Sequence, residues 1–257
     1  MKNILTPAWP VLFVALAFAI TGCVSNRYLE AKKGTPQPQL LDVAFPANSG
    51  EATLKSVITF NGPGSWKRDA LWDEYVVTLH NPGSQALTLT DASLTDYAGT
   101  GHAPGIHPWN LEKESQAQEQ KHRAAGVAFV RYTAPGVIIA GTGALAISSA
   151  GVLTAAGSAA ATATFVALPL YYLGVLYIND GNKDCMEAKF QRRRLELSLT
   201  LAPGETRTGS LFFVMTPSPR SLSLHWSSGP ASSENLLPLD FLHGLHVQAS
   251  GDAHPKS

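Results

Sequence analysis

Cysteine is nearly absent: the 257 residues contain two, Cys23 and Cys185. Two thiols exclude an all-cysteine metal site and any disulfide framework of the kind that staples small secreted domains. Charge is scarce as well. Asp, Glu, Lys and Arg make up 15% of the chain, where about 25% is usual for a soluble domain. The 19 basic residues balance 19 acidic ones, so there is no basic excess of the kind that marks nucleic-acid binding. Catalytic signatures are missing too, with no G-x-S-x-G elbow, P-loop or H-E-x-x-H. Hydrolase, nucleotide and zincin chemistry thereby lose their best single-sequence signals. No catalytic residue, metal or cofactor is expected.

The polar residues that remain make poor sites. "HGLH" places His243 and His246 three apart, as on one helical face, but brings no acidic or third histidine ligand. His102 and His107 fall in the loop "GHAPGIHPW", where ordinary hydrogen bonding is expected. Asp73 and Glu74 are adjacent, so on a strand they point to opposite faces and make a poor acid and base pair.

The N-terminus is more informative. Met1, Lys2 and Asn3 form a short positive start, and Val11 to Ile20 is an unbroken apolar run. A bilayer needs about 20 apolar residues in a helix, so residues 1–22 read as a cleaved signal peptide rather than a span. The run ends in "ITGC". Position by position, Ile20, Thr21, Gly22 and Cys23 fit the lipobox, and over residues 1–26 the chain resembles bacterial lipoproteins. That resemblance implies diacylglycerol on the Cys23 thiol, cleavage before Cys23 and acylation of the new amino group. By the same family rule an aspartate after the cysteine holds a lipoprotein in the inner membrane. Val24 stands there instead, which favours a lipid anchor in the outer membrane. Each buried methylene contributes about 0.8 kcal/mol, so two or three acyl chains on one residue hold firmly. Residues 23–39, with "KKGTPQPQ", then read as a lipidated end and solvated linker.

Removing residues 1–22 leaves 235, enough for a real core. Strand periodicity appears in two separate places. Leu54, Ile58 and Phe60 share a face of "LKSVITF", and "LWDEYVVTLHNPGSQALTLTDASL" reads as a hairpin turning at Pro82 and Gly83. Near the C-terminus Leu195, Leu197, Leu199 and Leu201 alternate with polar residues, "APGE" leads into Ser210 to Met215, and Leu222, Leu224 and Trp226 alternate again. That gives three strands in each half, with a seventh in "LPLDFLHGL". Neither half alone covers a core. One antiparallel two-sheet sandwich built from residues 40–104 and 191–249 is expected, ending in a disordered tail over 250–257. It resembles an immunoglobulin-like fold in architecture only, since the Cys and Trp signature of true immunoglobulin domains is missing.

Residues 105–190 must then leave the sandwich and return. The first part, from about Leu111, reads as a polar helix exposed to solvent, with Glu112, Glu114 and Glu119 early and Lys121, His122 and Arg123 late. Next, the 48 residues from Tyr132 to Asn179 contain no Lys, Arg, Asp, Glu or His. As one helix they would run about 70 Å. Folded at "TAAGSAAAT", they form an apolar helical hairpin over about 135–178, each arm close to the bilayer's ~30 Å. Gly136, Ala140, Gly143, Ser148 and Gly151 would face Gly157, Ala161 and Gly174, small residues that let helices approach. The pattern loosely resembles glycine-zipper hairpins of envelope lipoproteins. Tyr171 and Tyr172 suit a membrane interface. Low hydrophobicity argues against insertion, so membrane association, packing on a protein partner or a second copy, and internal burial all remain open. With Cys23 lipidated, Cys185 has no partner in the chain and reads as a small buried residue or as a free thiol for another chain.

The expected function is a lipid-anchored, noncatalytic envelope protein whose hairpin associates with membrane or a partner complex. Its alternative is an immunity or inhibitor lipoprotein against an envelope-targeting toxin, with a periplasmic enzyme as a distant third.

Overall fold

A computed structural model describes residues 37–46, 49–60, 62–67, 70–126, 129, 131 and 181–247. Two antiparallel sheets form a sandwich. In the first, the spatial order is β1 (Val43–Ala44), β2 (Glu51–Ile58), β3 (Asp73–His80) and β7 (Thr206–Phe213). In the second it is β5 (Gly101–His102), β4 (Leu87–Thr95), β8 (Ser221–Ser228) and β9 (Ala231–Pro238), with β6 (Leu199–Leu201) also on β4. Since β8 runs from Thr88 to Thr95 of β4, β5 and β6 divide its other edge, at Leu94–Thr95 and Leu87–Leu89. Each sheet joins strands from both ends of the chain, β3 to β7 and β4 to β8. The expected single sandwich is therefore what forms.

Alternation builds the core between the sheets. Leu54 on β2, Tyr75, Val77 and Leu79 on β3, Leu211 and Phe213 on β7 meet Leu89, Ala92 and Leu94 on β4 and Leu222, Leu224 and Trp226 on β8. The intervening residues of β3 and β7 point outward, and at the Glu74 and Phe212 end the helices cover them. Trp72, Phe212 and Val214 pack with Leu111, Met186 and Phe190 in a second apolar cluster. Phe190 stacks on Phe212 at 4.0 Å, and Trp72 meets Phe190 edge-on at 5.9 Å. This end of the first sheet is thus a middle layer, buried on both faces.

Those helices are α1 (Pro108–Ala124) and α2, helical over 181–193. The excursion begins at Gly105, whose N–H donates to Phe212 O at 2.7 Å. A Cβ at this glycine would run into the Leu111 side chain of α1. α1 is not the solvated helix its composition implies. Pro108, Leu111, Glu112, Ser115, Glu119 and His122 form a buried stripe at helical spacing, most of it polar. Backbone groups consume that polarity: Glu112 accepts from Leu71 N–H, and Ser115 Oγ accepts from Met215 N–H at 3.1 Å. Glu119 is bridged by Arg123 at 2.7 Å and Arg131 at 2.6 Å.

Three local expectations are corrected. The turn at Pro82 and Gly83 does not close a hairpin, because β3 and β4 belong to different sheets and the turn carries the chain between them. Asn81 clips that crossing, donating from Nδ2 to Gln85 O at 2.8 Å and Leu201 O at 3.0 Å and accepting Gly83 N–H at 3.0 Å. Nor do the alternating leucines form one strand. Leu195 N–H donates to Ser210 O beside β7, whereas Ser198 N–H donates to Leu89 O on β4. Ser198 takes a left-handed φ of 69° at the switch, so the leucines serve both sheets. The last strand lies earlier than "LPLDFLHGL": β9 ends at Pro238, and Asp240–Leu242 is a 3-10 turn.

The membrane expectation is overturned. Among the described residues no helix is long and apolar enough to cross a membrane. α1 is amphipathic with a polar buried stripe, and α2 carries Lys183, Asp184, Glu187, Lys189, Arg192 and Arg193. The function assigned through a membrane- or partner-associated hairpin is withdrawn. Cys23 and the hairpin positions Gly136, Ala140, Gly143, Ser148, Gly151, Gly157, Ala161, Tyr171, Tyr172 and Gly174 lie outside the described residues, as do the signal peptide and the expected tail. Cys185 is exposed rather than buried, because α2 turns Met186 and Phe190 to the sheet instead.

Candidate functional site

Two places concentrate polar chemistry, one sealed and one open. The sealed one grows from Asp73 and Glu74, which do point to opposite faces of β3, as alternation requires. Glu74 faces the helices and is fully buried. Its Oε1 accepts from Arg193 Nε at 2.8 Å, Arg193 Nη2 at 2.6 Å and Ser210 Oγ at 2.6 Å, and its Oε2 accepts from Trp66 Nε1 at 2.6 Å. The Arg193 guanidinium and the Lys189 ammonium also lie over the Trp66 ring, at 5.7 and 5.3 Å. This carboxylate thereby ties α2 to the sheet.

Asp73 faces the inter-sheet side, where the buried His246 ring bonds its Oδ2 through Nε2 at 2.7 Å. Asp73 Oδ1 and the Tyr75 hydroxyl are buried and make no hydrogen bond among the described residues. Burial, followed by the Asp73 charge, raises the Tyr75 phenol well above 10. Lys67 is buried within the electrostatic reach of both carboxylates, and its Nζ donates to Trp72 O and sits 4.6 Å from the Trp72 ring centroid. Burial lowers its ammonium from 10.5 to about 8, while Asp73, Glu74 and Glu112 pull the other way. Burial likewise raises Glu112 above the ordinary glutamate value, opposed by the Leu71 amide, Gln116, Lys67 and Arg131. General acid or base work requires hydrogen-bond reach to a substrate proton. Lys67, Asp73, Glu74 and His246 are at most 1% exposed, so this cluster is a lock between layers.

The open site lies at one end of the sandwich, where β4, β8 and β9 give way to loops. Tyr97, Ser218, Pro219, Arg220, Asp240, His243 and Val247 line a cleft of about 570 Å³, within the roughly 300–1,000 Å³ of small-molecule sites. Its walls are fixed from behind. Asp96 Oδ1 accepts the Ala98 and Thr100 amides, each at 2.8 Å, and Oδ2 lies 3.3 Å from His102 Nε2. Burial works against the Asp96 charge, but the Thr100 amide, His102 and the Ala98 amide outweigh it and hold the carboxyl below the usual range. Ser218 N–H donates to Leu245 O and Ser218 Oγ accepts Gly244 N–H, both at 2.9 Å, while Arg220 N–H donates to Thr95 O at 2.8 Å.

Behind Tyr97 a file of rings runs inward. Tyr97 rests on His122 at 5.8 Å, His122 on Phe129 at 5.9 Å, and Phe129 stacks on His246 at 5.9 Å and 14°. The file of rings thus connects the open cleft to the sealed lock.

Of the histidines weighed from sequence, His243 is exposed on the cleft and His246 is buried on Asp73. The positive φ of Gly244 and His246, 85° and 56°, breaks the helical spacing that would have paired them. Among the described residues no three His, Cys, Asp or Glu side chains could hold a metal ion. His102 pairs with Asp96, and His107 lies 3.2 Å from Glu187 of α2. Tyr97, Arg220 and Asp240 were not legible as a group, since three loops far apart in sequence bring them together. Comparison with family models, curated proteins and solved structures returns no match.

Proposed function

We propose that the chain is an outer-membrane-anchored bacterial lipoprotein whose β-sandwich, immunoglobulin-like in architecture, is a noncatalytic binding module. "ITGC" supports the anchor. The observation that carries the binding role is the contrast between the two polar sites. The groups suited to proton transfer are sealed inside the layers, whereas the cleft bounded by Tyr97, Arg220, Asp240 and His243 is open. Loops at the end of a rigid sandwich are where such folds carry recognition. The lipid on Cys23 serves as the membrane attachment, and the sandwich presents its cleft to the periplasmic space.

Labelling growing cells with radioactive palmitate tests the anchor. The wild-type chain takes up label, and Cys23→Ala does not. Equal label in both, or none in either, would remove the lipoprotein reading.

A further inference from the structure

We propose that the cleft binds a carboxylate-bearing saccharide, an inference resting on the reading of this cleft as the binding face. Arg220, Asp240 and His243 are exposed on its walls, and none of their side chains makes an ion pair or hydrogen bond among the described residues. Opposite charges that line one concavity without pairing are both left for a ligand.

Each group limits the ligand's chemistry. The planar guanidinium of Arg220 matches a carboxylate through two parallel N–H donors. Asp240 repels a doubly charged anion such as a phosphate monoester, yet it accepts readily from hydroxyl groups. His243 can donate or accept at a further hydroxyl. Tyr97, 37% exposed and backed by His122, offers an aromatic ring beside Pro219 and Val247. Such a wall suits the C–H face of a sugar ring. One negative charge, several hydroxyls and one apolar face describe an acidic saccharide, and about 570 Å³ admits one or two rings.

The backbone supports the same assignment. Ser218 and His246 hold left-handed φ values of 43° and 56° without being glycine. Such residues are strained and persist where the surroundings over-determine them, often at ligand sites. Here Ser218, which lines the cleft, is bonded to Gly244 and Leu245 just before His246.

The test is a titration of the full mature chain, read by the amide shifts of residues 96–100, 218–220 and 240–247. Two matched pairs of probes are used: glucuronic acid against glucose, and N-acetylmuramic acid against N-acetylglucosamine. At least one acid should saturate these shifts and bind roughly tenfold more tightly than its neutral counterpart, the scale of one charge-assisted contact. Arg220→Gln should abolish that preference while leaving the fold's other shifts in place, and Tyr97→Ala should weaken acid and neutral sugar alike. Equal affinity within each pair, or tighter binding of inorganic phosphate, overturns the saccharide assignment. If all four sugars are silent but other small fragments move the same amides, the ligand class fails and the cleft stands. If no probe of any class moves them, both fail.

Discussion

At the residue scale the most consequential groups are buried charges that hydropathy would place outside. Glu74 is fully buried with four donor contacts, so its removal leaves Arg193 without a counter-charge against the sheet. Breaking a buried pair costs about 3–5 kcal/mol. Arg193 is 35% exposed, which moves the expectation for Glu74→Gln to the lower end, about 3 kcal/mol, measured by urea denaturation at pH 7. Lys67 gives a pH signature. Its unfolded ammonium holds a proton up to 10.5, whereas the folded one releases it near 8. Between those values the unfolded chain binds more protons, so stability rises with pH, by up to about 3 kcal/mol from this group. Above 10 the raised Tyr75 phenol acts in the opposite direction. Urea midpoints should therefore climb from pH 7.5 to 9.5, and Lys67→Met should flatten that climb. An equal climb in the variant would contradict the assignment.

At the element scale, what joins the layers is a mixture of one apolar ridge and one polar stripe. Phe190 supplies the ridge of α2. Phe190→Ala should cost about 3–5 kcal/mol and speed hydrogen exchange over 181–193 before it affects β8, as an experiment with peptide resolution would show. α1 supplies the polar stripe, and Ser115→Ala strands the buried Met215 amide, an expected loss of about 1–3 kcal/mol by the same denaturation measurement. These two helices also show the limit of reading elements from sequence. Strands whose apolar residues alternate, such as Leu222, Leu224 and Trp226, were legible because one period identifies both structure and buried face. The stripe of Glu112, Ser115, Glu119 and His122 was not, since the groups that make burial of such residues tolerable, among them the Leu71 and Met215 amides and Arg131, are supplied from outside the helix. Likewise "NPGS" and "APGE" announced turns correctly. Turn chemistry alone does not distinguish a hairpin within one sheet from a crossing between two. Asn81 holds both crossings together, donating to Leu201 O and exchanging backbone bonds with Gly204 and Glu205.

At the scale of the whole molecule, the sandwich closes only when residues before and after the insertion meet. That was legible because neither half had strands enough for two sheets. The cleft was not, because Tyr97, Arg220 and Asp240 come from three loops whose convergence depends on β4, β8 and β9 ending together. Lipid on Cys23 is the proposed membrane attachment, with recognition placed at the end of the sandwich. The most direct measurement is fractionation of cells expressing the wild-type chain or Cys23→Ala, with folding of the variant verified by circular dichroism and protease resistance. The wild type should sediment with outer membranes and the folded variant should move to the soluble periplasmic fraction. A folded Cys23→Ala chain that stays with the membrane would contradict the account.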